Sequence, residues 1–392
     1  MDHPPSRHLL KDLSLSAIAA GFVTVLVGFA SSAVIVFQAA QSLGASPAEI
    51  SSWMWALGLG MGLTCIGLSL RYRMPVVTAW STPGAAMLIS SAAGLPLSDA
   101  VGAFMLSALL ICLAGFSGFF ERMISRIPVS LASGMLAGVL LRFGLEAFGA
   151  MKTQLGMVLT MFVVYLLARR LLPRYAVILT LLVGIAFAAG LGLLRVDGLA
   201  LAWAKPIFIA PTLSFAAIAG IALPLFIVTM ASQNVPGVAV IRASGYSIPI
   251  SPVIGWTGVA NLLLAPFGAF ALNLAAITAA ICMGREAHED ASRRYVAAMA
   301  AGVFYVIVGL FGATVAALFA AFPKELILAI AGIALLGTIG NSLAAALREE
   351  SDREPALITF LVTASGLSLA GIGSAFWGLL AGVVTLLVWR RK

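Results

Sequence analysis

The feature that most constrains this chain is a series of long stretches without one charged side chain. Residues 13–48, 74–98, 206–241, 243–284, 295–323 and 355–389 contain no Asp, Glu, Lys or Arg. A helix crosses a bilayer with about 20 predominantly apolar residues, so several of these stretches hold two crossings. Breaking them at Pro, Gly and polar clusters predicts about fourteen segments. Those of the first half are 14–42, 47–70, 75–93, 97–120, 127–149, 153–170 and 174–195. Those of the second are 213–240, 247–265, 267–283, 293–318, 322–346, 355–370 and 373–390. The expectation is an all-α membrane protein embedded in a lipid bilayer. The first apolar run, from Leu13 to about Leu43, exceeds the ~7–15-residue core of a cleaved signal peptide and reads as a span.

Composition agrees. Charged residues make up 10% of the chain, against roughly 25% in soluble domains. That excludes a soluble enzyme, a nucleic-acid-binding domain and a disordered protein. The net charge of +8 is accounted for by position. With the N-terminus inside, 18 of the 23 Lys and Arg fall on the inner side, and Lys152, Arg195, Lys205 and Lys324 on the outer. The bias predicts an even number of crossings with both termini cytoplasmic. Cys65, Cys112 and Cys282 lie in apolar runs without metal-ligand spacing, so no metal is expected. No cofactor is expected either, and no GxxxxGK[ST] motif is present to couple ATP.

The halves carry related landmarks in the same order. Ala30-Ser31-Ser32 is followed 201 residues later by Ala231-Ser232-Gln233, and Trp55 by Trp256. Pro75 matches Pro266, and Pro128 matches Pro323. Seven spans is an odd number, so the second half must be inverted relative to the first, as in secondary transporters with a midplane site between repeats.

Two spans read as broken. In Pro75–Gly84, β-branched Val76, Val77 and Thr78 follow a proline and favour extended backbone. Ser81 or Thr82 can then cap a helix that begins at Pro83. At an offset of 191, Pro266 meets Pro75 and Asn273 meets Thr82, another capping type. Two helix N-termini would face one another, each with unpaired N–H groups and roughly +0.5 of an elementary charge, which suits a small anion. A kink in a continuous helix is the competing reading, and Asn273 could instead hydrogen-bond between helices.

Ser232, Gln233 and Asn234 form a second polar cluster, with Ser31 and Ser32 as repeat partners. Such groups inside a span face protein or a wet cavity, where they either bind substrate or join helices. Arg142 and Glu146, at i and i+4, are embedded ionisable residues that can neutralise each other. Glu146, with Arg142, is the candidate for proton coupling. Trp80, Phe267, Phe270, Phe376 and Trp377 could pack a flat ring or simply fill the core.

Several stretches resemble the benzoate:proton symporters of bacteria. They are Gly28–Ala33, Thr78–Gly84, Leu140–Gly144, Leu223–Asn234, Ala275–Ile281 and Gly371–Gly378. The resemblance implies import of benzoate with protons across the bacterial inner membrane. More distantly the chain is similar to nucleobase and anion transporters with two inverted seven-span repeats. That likeness implies core segments 13–120 and 213–318, gate segments 127–196 and 322–390, and a homodimer as one arrangement. It places substrate near Thr78, Trp80, Ser81 and Thr82, near Ser232, Gln233 and Asn234, and near Phe270, Leu272 and Asn273. Nucleobase relatives carry carboxylates in spans eight and ten, and this chain has none there. A nucleobase permease, an inorganic-anion exchanger and an anion channel remain the alternatives.

Overall fold

The structure, a computed structural model, describes residues 12–91, 95–124, 127–172, 175–194, 203–312, 314, 322–367, 369 and 374–389. The two chain ends, with His3, His8 and the flanking basic residues used above for orientation, lie outside these.

Helix α1 spans Leu15–Ser42 and starts where the Ser14 side chain accepts from the Ala17 N–H. Helix α2, Pro47–Tyr72, begins with a capping box in which Ser46 and Glu49 serve each other's backbone N–H, with Pro47 in the first turn. It ends at Arg73 in a left-handed conformation. Strand β1 is Thr78–Ala79, followed by half-helix α3, Thr82–Ser91. Then come α4 (Leu97–Phe116), α5 (Phe119–Ile124), α6 (Val129–Gly149), α7 (Met151–Leu171) and α8 (Ala176–Gly190).

The second half repeats this order. Helix α9 runs Phe215–Ala243 and α10 Ile250–Leu264. Strand β2, Asn273–Leu274, leads to half-helix α11, Ile277–Met283. The series closes with α12 (Tyr295–Leu310), α13 (Lys324–Ala346), α14 (Arg353–Ala364) and α15 (Ser374–Trp389). Among the described residues seven helices are long and apolar enough to cross a membrane. An eighth is α13, counted through a 41° bend between Lys324–Gly337 and Ile339–Ala346.

The spacing of the elements differs from the sequence reading. The Pro75–Pro266 offset of 191 does not hold at the broken spans. From Thr78 to Asn273 and from Thr82 to Ile277 the offset is 195, the same as from Pro128 to Pro323. Pro266 lies instead in a tight 3-10 turn, Ala265–Phe267, that closes α10.

Helix α9 carries two π turns, Ile218–Ala222 and Met230–Asn234. Each ends two residues before a proline, Pro224 or Pro236. Proline offers no N–H to the preceding turn and its ring collides with the carbonyl four residues back. Widening the preceding turn relieves that conflict without ending the helix.

Packing separates two groups of helices. Helices α6, α7, α8, α13, α14 and α15 pack chiefly on one another, and α1 to α4 pack with α10 to α12. In the second group α2 lies against α12 and α4 against α10. Both crossings are glycine to glycine: a Cβ on Gly58 would stand 2.5 Å from the Gly309 Cα, and one on Gly115 2.4 Å from the Gly255 nitrogen. Without hydrophobic drive between helices in lipid, close backbone approach through small residues supplies the packing.

The extended segment 203–214 runs across one end of this group. It bonds Leu310 through the Ala204 N–H, Ser52 through Ile207, Pro266 through Ile209 and Ser98 through Thr212. At the end of α4, Glu121 on α5 accepts from the Ile250 and Ser251 N–H groups at 3.2 and 2.8 Å and so caps α10. Although burial opposes its ionisation, these bonds and Arg242 hold the Glu121 carboxyl below its ordinary range. A lowered pKa means stability present at neutral pH and lost as pH falls through the folded value. Glu121→Gln should therefore lower stability at pH 7.5 by about 1 kcal/mol. In thermal unfolding of detergent-purified protein, that gap should narrow as pH approaches about 4.

Candidate functional site

Strands β1 and β2 pair antiparallel, with Thr78 opposite Leu274 and Ala79 opposite Asn273. The pairing continues with the Ala275 N–H donating to the Val77 carbonyl at 2.9 Å. Two short strands thus pair, and each leads into a short helix.

Strand β1 is fixed on α2. The Thr78 hydroxyl lies 2.6 Å from that of Thr64 and donates to the Met61 carbonyl at 3.1 Å, while its N–H meets Cys65 Sγ at 3.2 Å. Ser69 both donates to the Val76 carbonyl and accepts from its N–H. Ser81 caps α3 by accepting from the Gly84 N–H at 3.0 Å. Trp80 turns toward α1: its Nε1 donates to the Ser32 hydroxyl at 3.0 Å, and its ring stands edge-on to Phe29 at 5.0 Å. Ser32 in turn donates to the Gly28 carbonyl at 2.8 Å. Thr82 is half-buried at the first position of α3. The side chain of Ser31 lies outside the described residues.

Strand β2 is held by α9 and α10. Asn234 Oδ1 accepts from the Leu274 N–H at 3.0 Å and its amide donates to Met230 Sδ at 3.1 Å. One turn on, a Cβ at Gly237 would reach 2.6 Å from the Leu274 Cβ, so the strand lies directly on this helix. Asn261 of α10, absent from the sequence reading, receives the Leu272 N–H at 3.4 Å. A lone amide in the last turn of an otherwise largely apolar helix was the signal for it. Ser232 and Gln233 are half-buried on the second π turn.

One expectation changes, and two site candidates are packed without open surface. Asn273 does not cap the second half-helix, because it lies within β2, and α11 follows Ala276 with no side-chain cap. Its amide donates instead to the Ala271 carbonyl at 2.8 Å, where Ala271 holds a positive φ of 47°, and its buried Oδ1 has no partner among the described residues. Phe270 presents no open ring face: it is fully buried against Trp53 and Phe104, 5.6 and 5.7 Å away. Leu272 is fully buried and packs on Gly60.

Arg142 and Glu146 form the i, i+4 ion pair at 2.7 Å, with the Arg142 side chain 80% exposed on the flank of α6. No described contact joins that pair to the strands. Asn234, Trp80, Ser32, Ser81 and Thr78 are brought together around the strand pair, and no charged side chain is among them.

The sequence profile of the family described as benzoate membrane transport protein matches residues 11–388. The chain belongs to that family. It is 42% identical over 382 residues to the benzoate membrane transport protein of Acinetobacter baylyi (strain ATCC 33305 / BD413 / ADP1), covering 97% of each chain. It is 50% identical over 371 residues to the inner membrane protein YdcO of Escherichia coli (strain K12), covering 95% of each. Among solved structures, the murine anion transporter Slc26a9 in the inward-facing state aligns over 98% of this chain and 69% of its own, at a TM-score of 0.50 and 14% identity. That likeness is one of fold alone. Benzoate membrane transport proteins are transporters, not enzymes.

Proposed function

We propose that this chain imports benzoate, or a similar aromatic carboxylate, with protons across the bacterial inner membrane by alternating access. In this reading it has about fourteen spans in two inverted seven-span repeats, with both termini cytoplasmic. Core segments 13–120 and 213–318 move against gate segments 127–196 and 322–390.

The observation that carries the reading is the strand pair itself. Irregular backbone at membrane depth is tolerated only where protein or a cavity satisfies it, and here two strands satisfy each other while their half-helices diverge. The carboxylate lies near the Ser81-capped end of α3 and the uncapped first turn of α11, where N–H donors attract an anion without a formal charge. The Trp80 ring, fixed by Ser32 and Phe29, lies beside the aromatic group. Gln233, Ser232 and Thr82 line the approach. The exchanged crossings, α2 with α12 and α4 with α10, support two-fold related repeats, since each half supplies the same two helices to the other. Proton traffic has two routes: the substrate's own carboxyl group, or Glu146 beside Arg142.

Counterflow in liposomes tests this. Preloaded unlabelled benzoate should accelerate entry of labelled benzoate, and an imposed inward proton gradient should drive accumulation. Uptake of uracil or sulfate with none of any aromatic carboxylate would overturn the substrate assignment. Benzoate flux without acceleration by preloading would mark a channel.

A further inference from the structure

We infer that Arg169 and Glu286 form a latch that holds the two helix groups together at the inner mouth of the transport route. The inference rests on the core-and-gate reading above. Arg169 is in the last turn of α7, in one packing group, and Glu286 follows α11, in the other. Their side chains meet at 3.0 Å, with Glu286 only 11% exposed and Arg169 47%. Of the ion pairs described, Arg142–Glu146 lies within one helix and Arg293 bonds Asp12 and Asp290 within the core group, so neither bridges the groups.

The pair is built rather than incidental. Arg169 is oriented by Tyr165 one turn earlier, donating to its hydroxyl and lying 5.6 Å from its ring centre. Tyr165 is buried, so the guanidinium is held on a rigid base. Both side chains lie against Gly337, where a Cβ would stand 2.7 Å from the Glu286 carboxylate oxygen that Arg169 bonds and 3.7 Å from Arg169 Nη1. Gly337 is also where α13 bends by 41°. A small cavity opens directly behind Glu286, lined by Ala20 of α1, Val177 of α8, Ile281 of α11 and Ala334 of α13. Glu286 therefore lines a space to which four helices from both groups contribute, near Arg169, Arg170 and Arg285 in the chain.

An ion pair that joins moving bodies in one state must be broken in another, and it biases the equilibrium by its differential strength. Removing it should populate the state in which this mouth is open.

The test uses Ala334→Cys as a reporter, read as labelling by a membrane-impermeant maleimide in inside-out vesicles. Glu286→Gln and Arg169→Gln should each raise labelling about fivefold. The double variant should give no further rise, because both remove one interaction. Size-exclusion profiles of each variant control for folding. Saturating benzoate should alter labelling in the unmodified Arg169–Glu286 background. If labelling responds to benzoate but to neither substitution, the latch is wrong and the core-and-gate movement stands. If the two single effects add in full, the residues do not act as a pair and the latch is likewise wrong. If neither benzoate nor any substitution alters labelling, the movement and the latch fall together.

Discussion

Asn234→Asp should abolish high-affinity benzoate binding while leaving the chain folded in the membrane. A carboxylate at this position still accepts from the Leu274 N–H, so β2 keeps its anchor. The variant loses the donor to Met230 and sets a fully buried negative charge beside the strand pair. A substrate anion a few ångström away is then repelled by about 3 kcal/mol at the effective dielectric of a protein interior. Every 1.4 kcal/mol is about tenfold in affinity, so the dissociation constant should rise about a hundredfold or more. Asn234→Ala acts through structure instead. It leaves the Leu274 N–H unpaired at a cost of about 1–3 kcal/mol, weakening binding and lowering stability together. Calorimetric titration with benzoate in detergent, run beside thermal unfolding, separates the two. Wild-type affinity in Asn234→Asp would show that the substrate lies elsewhere.

Gly58→Val should prevent assembly of the core. The Cβ of any residue at 58 would stand 2.5 Å from the Gly309 Cα, 2.7 Å from its nitrogen and 2.7 Å from the Tyr305 carbonyl oxygen. All three are backbone atoms, so no rotamer change relieves the contact, and α2 must move away from α12. Forcing methyl groups into a packed crossing costs about 1–3 kcal/mol where side chains yield, and more where only backbones face each other. Gly67 on the same helix is the control, since a Cβ there meets nothing within 4 Å. Gly67→Ala should match or exceed wild-type stability, because alanine is the better helix former by about 1 kcal/mol. Fluorescence-detected gel filtration should find Gly58→Val aggregated and Gly67→Ala monodisperse. A monodisperse Gly58→Val with an unchanged melting temperature would refute the crossing.

The first broken span was legible because every element of it is local. Pro75, three β-branched residues and a Ser-Thr-Pro-Gly start signal sit within ten residues, and Ser81 caps α3 as that order implies. The second was not, for reasons equally physical. Helix α11 begins after Ala276, a residue with no capping chemistry. What organises β2 is a bond from a helix 40 residues away, together with an alanine held at positive φ. Neither leaves a mark in local spacing. Asn273 looked like a cap because its type suits one, yet tertiary packing placed it on a strand. Phe270 was a candidate ring platform, and it is fully buried with Trp53 and Phe104 tilted against it. The polar run Ser232–Asn234 was conspicuous in the sequence, whereas its conversion to a π turn came from Pro236, two residues further on.

The exchanged glycine crossings bear on how the protein is made. Residues 47–116 enter the bilayer during synthesis well before 250–310 exist. The Gly58 and Gly115 faces then have only lipid to meet, because their partners, Gly309 and Gly255, are still untranslated. The first half therefore waits in the membrane as an incomplete body, and the core closes only when the second half arrives. Segment 203–214 completes its bonds only after Leu310 is made, since they reach Pro266 and Leu310. Packing of the first half is thus completed late, and a chain cut before residue 250 leaves the Gly58 and Gly115 faces without their partners.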